Sequence, residues 1–146
     1  MTIRKITKDD KDEFLKMSRE FYLSDAVLHN IDESYHTAAF EELMTSDIYL
    51  DGYIFEKDGQ VAGYCLLNKS YSREVGGKVL WIEELYVRPR FQGRGIGSAL
   101  LKRVEEDFPA QRYRLEVEEE NWGAIKLYER HGYERLAYVQ MIRDKQ

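Results

Sequence analysis

Three groups of residues have types and spacings suited to chemistry. The first is VRPRFQGRGIGSAL, Val87 to Leu100, where Gly93, Gly95 and Gly97 stand beside Arg90 and Arg94. Glycine loses more freedom on folding than any other residue. A cluster of it signals either a tight turn or a ligand that must touch the backbone. A strand pattern precedes these glycines and a helical pattern follows them. A helix N-terminus leaves backbone N–H groups unpaired and carries partial positive charge, so it favours an anion such as phosphate. The spacing is not that of a dinucleotide fingerprint, and the Lys-Ser/Thr pair of a P-loop is missing. From this motif alone, a tight turn with close strand–helix packing stands beside the anion site.

The second group is the pair Glu83 and Glu84 inside the apolar run KVLWIEELYV. Two carboxylates in a central strand are unexpected, because buried charge is costly. Strand alternation sends them to opposite faces and implies different roles. Pairing with arginines, or emergence at a bulge, would also account for them. The third group is Asn121 and Tyr128. Seven residues bring a helix back to nearly the same face, so these two side chains can point into one place. Asn121 also reads as a helix N-cap, and a tyrosine on an amphipathic helix is commonly a packing residue.

The elements that must position these groups follow from periodicity. TIRKI reads as a strand. TKDDKDEFLKMSREFYL reads as a helix capped by Asp9 or Asp10, with an apolar stripe of Phe14, Leu15, Met17, Phe21 and Tyr22. SDAVLHN is a loop. IDESYHTAAFEELMTS resumes a helix through Ile31, Tyr35, Ala38, Ala39, Leu43 and Met44. IYLDGYIFEK and QVAGYCLLNK flank Asp58-Gly59, a two-residue hairpin signal. KVLWIEELYV is a strand covered on both faces. IGSALLKRVEEDF is a helix, YRLEV a strand, and NWGAIKLYERHG a helix closed by Gly132. YERLAYVQMIRD reads as one or two final strands. The order β, α, α, β, β, β, α, β, α, β gives a mixed α+β class in a single domain spanning 1–146, with no repeat or linker.

Composition narrows the function. The 146 residues carry 43% hydrophobic side chains, enough for a sizeable core. The formal charge of −5 lacks the basic footprint of nucleic-acid binding and suits a cationic substrate. The single cysteine, Cys65, cannot form an intrachain disulfide and reads as a core residue. His29, His36 and His131 lack metal-ligand spacing. No signal-peptide core or membrane-spanning stretch is evident. The expectation is a cytoplasmic protein without metal, nucleic acid or membrane.

Gln92, Gly95 and Gly97, in the pattern Q-x-x-G-x-G, resemble the acyl-coenzyme A pyrophosphate loop of the GNAT superfamily of N-acetyltransferases. The run IEELYVRPRFQGRGIGSALL is similar to that family's central strand, loop and helix. LEVEEENWGAIKLYERHGYE is similar to its next strand and helix, with Asn121, Ala124, Tyr128 and Gly132 at recurring positions. Arginine is also common where Gln92 stands. The resemblance implies a central mixed, mostly antiparallel sheet with splayed central strands and flanking helices. It implies acetyl-coenzyme A as co-substrate, with backbone groups of Leu85, Tyr86 and Val87 facing the pantetheine arm and acetyl group. Backbone N–H groups of Gln92, Gly93, Arg94, Gly95, Ile96 and Gly97 would face the pyrophosphate. Asn121 would contact the pantetheine.

Acetyl transfer to an amine needs a base for the amine and a proton for the departing thiolate. WIEELYV is similar to the corresponding strand of spermidine/spermine-type acetyltransferases, whose first acidic position acts as a base through water. That implies Glu83 as base, leaving Glu84 to bind the amine, although the two assignments can exchange. The family resemblance gives Tyr128 the role of acid. In this fold the first two helices and their loop help cover the acceptor, which brings Tyr22, Asp25 and His29 forward. The implied reaction is direct acetylation of a small-molecule primary amine. Acetylation of a protein N-terminus or lysine, and a non-catalytic coenzyme A-binding regulatory module, are the competing readings. Homodimers are frequent in the family.

Overall fold

Asp58 and Gly59 have φ of 53° and 73°, as a two-residue turn between twisted strands requires. They join β2, Leu50–Lys57, to β3, Gln60–Ser72. This hairpin is the middle of a five-stranded sheet. The computed structural model describes residues 1–145. The remaining strands are β1 (Thr2–Lys5), β4 (Gly77–Val87) and β5 (Arg112–Leu115), and the spatial order is β1-β2-β3-β4-β5. The first three pairings are antiparallel, and β4 with β5 is parallel. The mixed, mostly antiparallel sheet is therefore as expected.

Helices cover both faces. α1 (Lys11–Tyr22) and α2 (Glu33–Thr45) lie on one face, where Phe14, Met17, Phe21 and Phe40 pack with Ile54, Tyr64 and Leu66. α3 (Ile96–Asp107) covers the other, with Ile96, Leu100, Leu101 and Val104 against Tyr53, Phe55, Leu80 and Ile82. α4 (Trp122–Arg130) packs there through Leu127 and Tyr128. Each fully buried Phe or Leu contributes about 1.5–3 kcal/mol. β4 is apolar on both sides because it lies between these two layers.

Several expectations change in detail. Asp10 stands at the N-cap position of α1, but its side chain turns back to accept from the Thr7 N–H at 2.8 Å and from Arg4 at 2.8 Å. α2 buries His36 and Phe40, whereas Tyr35 and Ala38 face solvent. His36 enters the apolar layer because Ser18 meets its Nδ1 at 2.6 Å. The expected strand YRLEV stops at Leu115. The expected strands in YERLAYVQMIRD do not form: residues 133–145 join no ladder. Leu136, Tyr138, Val139, Met141 and Ile142 stay exposed, although the outer edge of β5 is unpaired among the described residues.

Candidate active site

β4 changes character along its length. Val79–Ile82 pairs with β3 on one side and with Arg112–Leu115 of β5 on the other. The β5 ladder ends at Ile82–Leu115, while β4 runs on to Val87 paired only with β3. Leu85, Tyr86 and Val87 therefore lie on an open backbone edge beside α4.

A bulge marks the change. Leu67 pairs with Ile82 and Leu66 with Glu84, so Glu83 has no partner residue on β3. Such an extra residue re-aims the side chains around it. Ile82 and Leu85, three apart, consequently pack on the same face. The simple alternation expected for the two glutamates is thus broken at Glu83.

The carboxylates still occupy different surroundings. Glu84 is only 8% exposed. Its oxygens accept the Tyr22 hydroxyl at 2.9 Å and the Tyr64 hydroxyl at 2.5 Å. Burial pushes its pKa up and the two tyrosines oppose that push. Each oxygen accepts one tyrosine hydroxyl, which makes Glu84 a buried anchor for Tyr22. Glu83 is more exposed. Partial desolvation, then the neighbouring Glu116 carboxylate, raise its pKa above the usual glutamate value. A carboxylate of this kind is a stronger proton acceptor than an ordinary surface glutamate.

The glycine loop begins with a short helical turn, Pro89–Phe91. Gly93 and Gly95 have φ of 75° and 78°, a left-handed conformation that disfavours any side chain. Gly97 has a different reason. A Cβ there would lie 2.8 Å from Leu127 Cδ2, so its missing side chain lets α4 pack against the start of α3. Ser98 and His131 Nε2, 3.0 Å apart, join the same two helices. Gln92 also braces the loop. Its N–H donates to Pro89 O at 3.2 Å and one N–H of its side-chain Nε2 to Val87 O at 2.9 Å.

From Gly93 to Ser98, no backbone N–H donates to a backbone carbonyl among the described residues. Ile96, Gly97 and Ser98 open α3. Arg90 and Arg94 make no ion pair among the described residues. Their guanidinium carbons lie 4.8 and 5.8 Å from the Phe91 ring centre. A Cβ at Gly93 or Gly95 would meet nothing within 4 Å, so the space over the turn is open. Unpaired donors, helix dipole and free cations together suit an anion.

Asn121 caps α4, its side-chain oxygen accepting the Ala124 N–H at 3.3 Å. Tyr128 is half-buried against the α3 layer, and its hydroxyl has no hydrogen-bond partner among the described residues. Burial, then the proximity of Cys65, pushes its pKa up to about 12. It therefore holds its proton at neutral pH.

Tyr22 joins Glu84, while Asp25 lines a cleft of about 760 Å³ between the α1–α2 loop and the start of α4. Glu118, Glu120, Asn121 and Trp122 form its other wall. His29 lies exposed in the loop and does not line that cleft. Sequence reasoning missed Tyr64, hidden in an apolar strand, and the carboxylates of the EVEEEN run, whose density was the available signal. No His/Cys/Asp/Glu group suited to a metal occurs among the described residues. No helix among them is long and apolar enough to cross a membrane.

The family model "Acetyltransferase (GNAT) family" matches residues 12–133. An uncharacterised N-acetyltransferase of Methanocaldococcus jannaschii is 33% identical over 145 residues, covering 95% of this chain and 63% of that protein. Thialysine N-epsilon-acetyltransferase of Bos taurus is 38% identical over 83 residues, covering 55% of this chain and 48% of the relative. Spermine/spermidine N(1)-acetyltransferase of Bacillus subtilis is 28% identical over 83 residues, 53% of this chain and 55% of the relative. The chain thus spans less than two thirds of the length of each of these relatives. Among solved structures, an aminoglycoside N-acetyltransferase in complex with CoA superposes with a TM-score of 0.78. That match is 20% identical and covers 99% of this chain and 95% of that one, which is a likeness of fold.

Proposed function

The chain belongs to the acetyltransferase (GNAT) family, and from that premise we propose that, as a single domain, it acetylates a small cationic amine. The observation that carries the choice of acceptor is the acidic cleft of Asp25, Glu118 and Glu120 beside Trp122. Its volume falls in the range of small-molecule sites. Carboxylates attract ammonium groups, and an indole face adds a cation–π surface.

The cradle at Gly93–Ser98 fits the pyrophosphate of acetyl-coenzyme A, with Arg94 adding charge. When bound, the cofactor supplies the activated acetyl group as a thioester. The open backbone edge at Leu85–Val87 orients the arm, and Asn121 borders it from the helix side. Glu83 takes a proton from the bound ammonium, directly or through water, so that the neutral amine can attack the thioester carbonyl, and its raised pKa aids this step. Tyr128 gives its proton to the sulfur of the leaving group. Glu84 holds Tyr22 at the acceptor side and is a positioning residue.

A thiol-release assay with acetyl-coenzyme A tests this reading across polyamines, aminoglycosides, amino acids and peptides. Turnover is expected with amines carrying more than one positive charge. Turnover confined to peptides would overturn the choice of acceptor.

A further inference from the structure

α2 turns a polar ring into the core. Its buried residues are Phe40 and His36, and His36 is 3% exposed beside Ser18 at 4%. Polar groups in an apolar layer are costly unless paired. The direction in which these two spend their hydrogen bonds bears on the acceptor site.

Both Glu84 oxygens accept, one from the Tyr64 hydroxyl at 2.5 Å and one from the Tyr22 hydroxyl at 2.9 Å. Tyr64 has thereby used its one proton. The Ser18 side chain bonds Tyr64 in the sense that favours the phenolate, which makes Ser18 the donor. A serine hydroxyl also has one proton. At 2.6 Å from His36 Nδ1, the Ser18 oxygen therefore accepts, and Nδ1 carries the hydrogen. The donors run from His36 through Ser18 and Tyr64 to Glu84, each polarised by the next.

The chain closes on Tyr22. Ser18 and Tyr22 lie four residues apart on one face of α1. The Tyr22 ring stands edge-on to the His36 ring, with centroids 5.6 Å apart and planes at 79°. His36 thus touches the Tyr22 ring directly and reaches its hydroxyl through the chain. Of these five side chains, Tyr22 is the one that is not buried. Its proton is committed to Glu84, so its oxygen is left only to accept. The Glu83 carboxylate is close enough to act on the same hydroxyl.

We propose that the Tyr22 oxygen accepts a hydrogen bond from the ammonium of the acceptor, and that His36 is the positioning residue that sets Tyr22 to do so. The location of that ammonium rests on the reading of Glu83 as the base. An apolar side chain at position 36 would fill the layer, but it would free Ser18 to turn and loosen the carboxylate that holds Tyr22.

The test is calorimetric titration with spermidine as the probe amine and coenzyme A present, so turnover is not needed. Tyr22→Phe should weaken spermidine binding about tenfold, as for a lost hydrogen bond to a charged group. His36→Leu should weaken it nearly as much, and His36→Asn, whose amide N–H replaces Nδ1–H, should restore most of the loss. Tyr22→Phe/His36→Leu should be no weaker than Tyr22→Phe alone, because both changes remove one interaction. Coenzyme A affinity should stay level throughout. Additive losses, or equal losses for both ligands, would reduce His36 to packing and overturn the proposal. So would an unmodified chain that does not take up spermidine. Nitrogen-15 NMR of the unmodified chain tests the chain itself: a proton on His36 Nδ1 is expected, and a bare Nδ1 would overturn its direction. A failure of Glu83 as base would show only in the turnover of Glu83→Gln and would leave these readouts unchanged.

Discussion

Along β4, Val79–Ile82 is hydrogen-bonded on both sides, whereas Glu83–Val87 is hydrogen-bonded on one side only. The first stretch is interior sheet, with every backbone group committed. The second leaves backbone groups unpaired on its open side, and the bulge at Glu83 places a carboxylate at the boundary. Glu84 sits one residue further on but is sealed among tyrosines. Adjacent identical residues thus acquire unlike chemistry from burial and pairing. A comparable division separates Gly95, needed for its backbone conformation over open space, from Gly97, needed for helix packing.

Removing the proposed proton donor should have the largest effect. Tyr128→Phe keeps the ring packing but deletes the unpartnered hydroxyl. Turnover should fall by roughly 10²–10⁴-fold, the range for a general acid. Coenzyme affinity and melting temperature should hardly move. Near-normal turnover, with an acceptor for which chemistry is rate-limiting, would return Tyr128 to packing alone.

The two glutamates should then separate. Glu83→Gln should lower turnover by about 10²-fold, the lower part of the same range. Glu84→Gln should act mainly through the acceptor's KM, by loosening Tyr22. Equal losses in kcat from both would erase the distinction between the two halves of β4.

The glycines sharpen it on a smaller scale. Gly95→Ala places a side chain in the left-handed region, which costs about 1–2 kcal/mol. It should weaken acetyl-coenzyme A binding about tenfold in calorimetric titration, by distorting the donor cradle. Gly97→Ala should instead lower the melting temperature, as Leu127 is displaced, with little change in affinity. A reversal of the two would exchange their roles.

The smallest effect concerns stability and pH. The folded-state pKa of Glu84 is raised above that of an exposed glutamate. Its contribution is therefore fully present below the unfolded pKa, and is lost as pH rises through the folded pKa. Relative to Glu84→Gln, the unmodified chain should become less stable as pH increases through that window. Urea titrations at a series of pH values would show it, and parallel pH dependence in the two proteins would contradict it.

Most of the element order was legible, because the hairpin at Asp58-Gly59 and the helical stripes are local signals. The glycine loop was legible for the same reason, as a motif between a strand and a helix. The bulge was not, since it depends on which residues of β3 lie opposite. Tyr64 looked like any core aromatic until Glu84 was placed beside it. The bracing hydrogen bonds of Gln92 and the packing of Gly97 against Leu127 were not legible, because they are set by residues elsewhere in the turn or distant in sequence. The final strand pattern was present in the sequence, but the segment does not pair with the open edge of β5.

The most direct test of the account is the pH dependence of kcat/KM for the unmodified enzyme and for Glu83→Gln. A free glutamate titrates near a pH of about 4.3, and burial with Glu116 moves Glu83 above it. Activity should fall as pH drops through that raised value, because the base becomes protonated. Glu83→Gln should lose this enzyme-borne acidic limb along with most of its turnover, while Glu84→Gln should retain it. An unchanged limb in Glu83→Gln would contradict the assignment of the base.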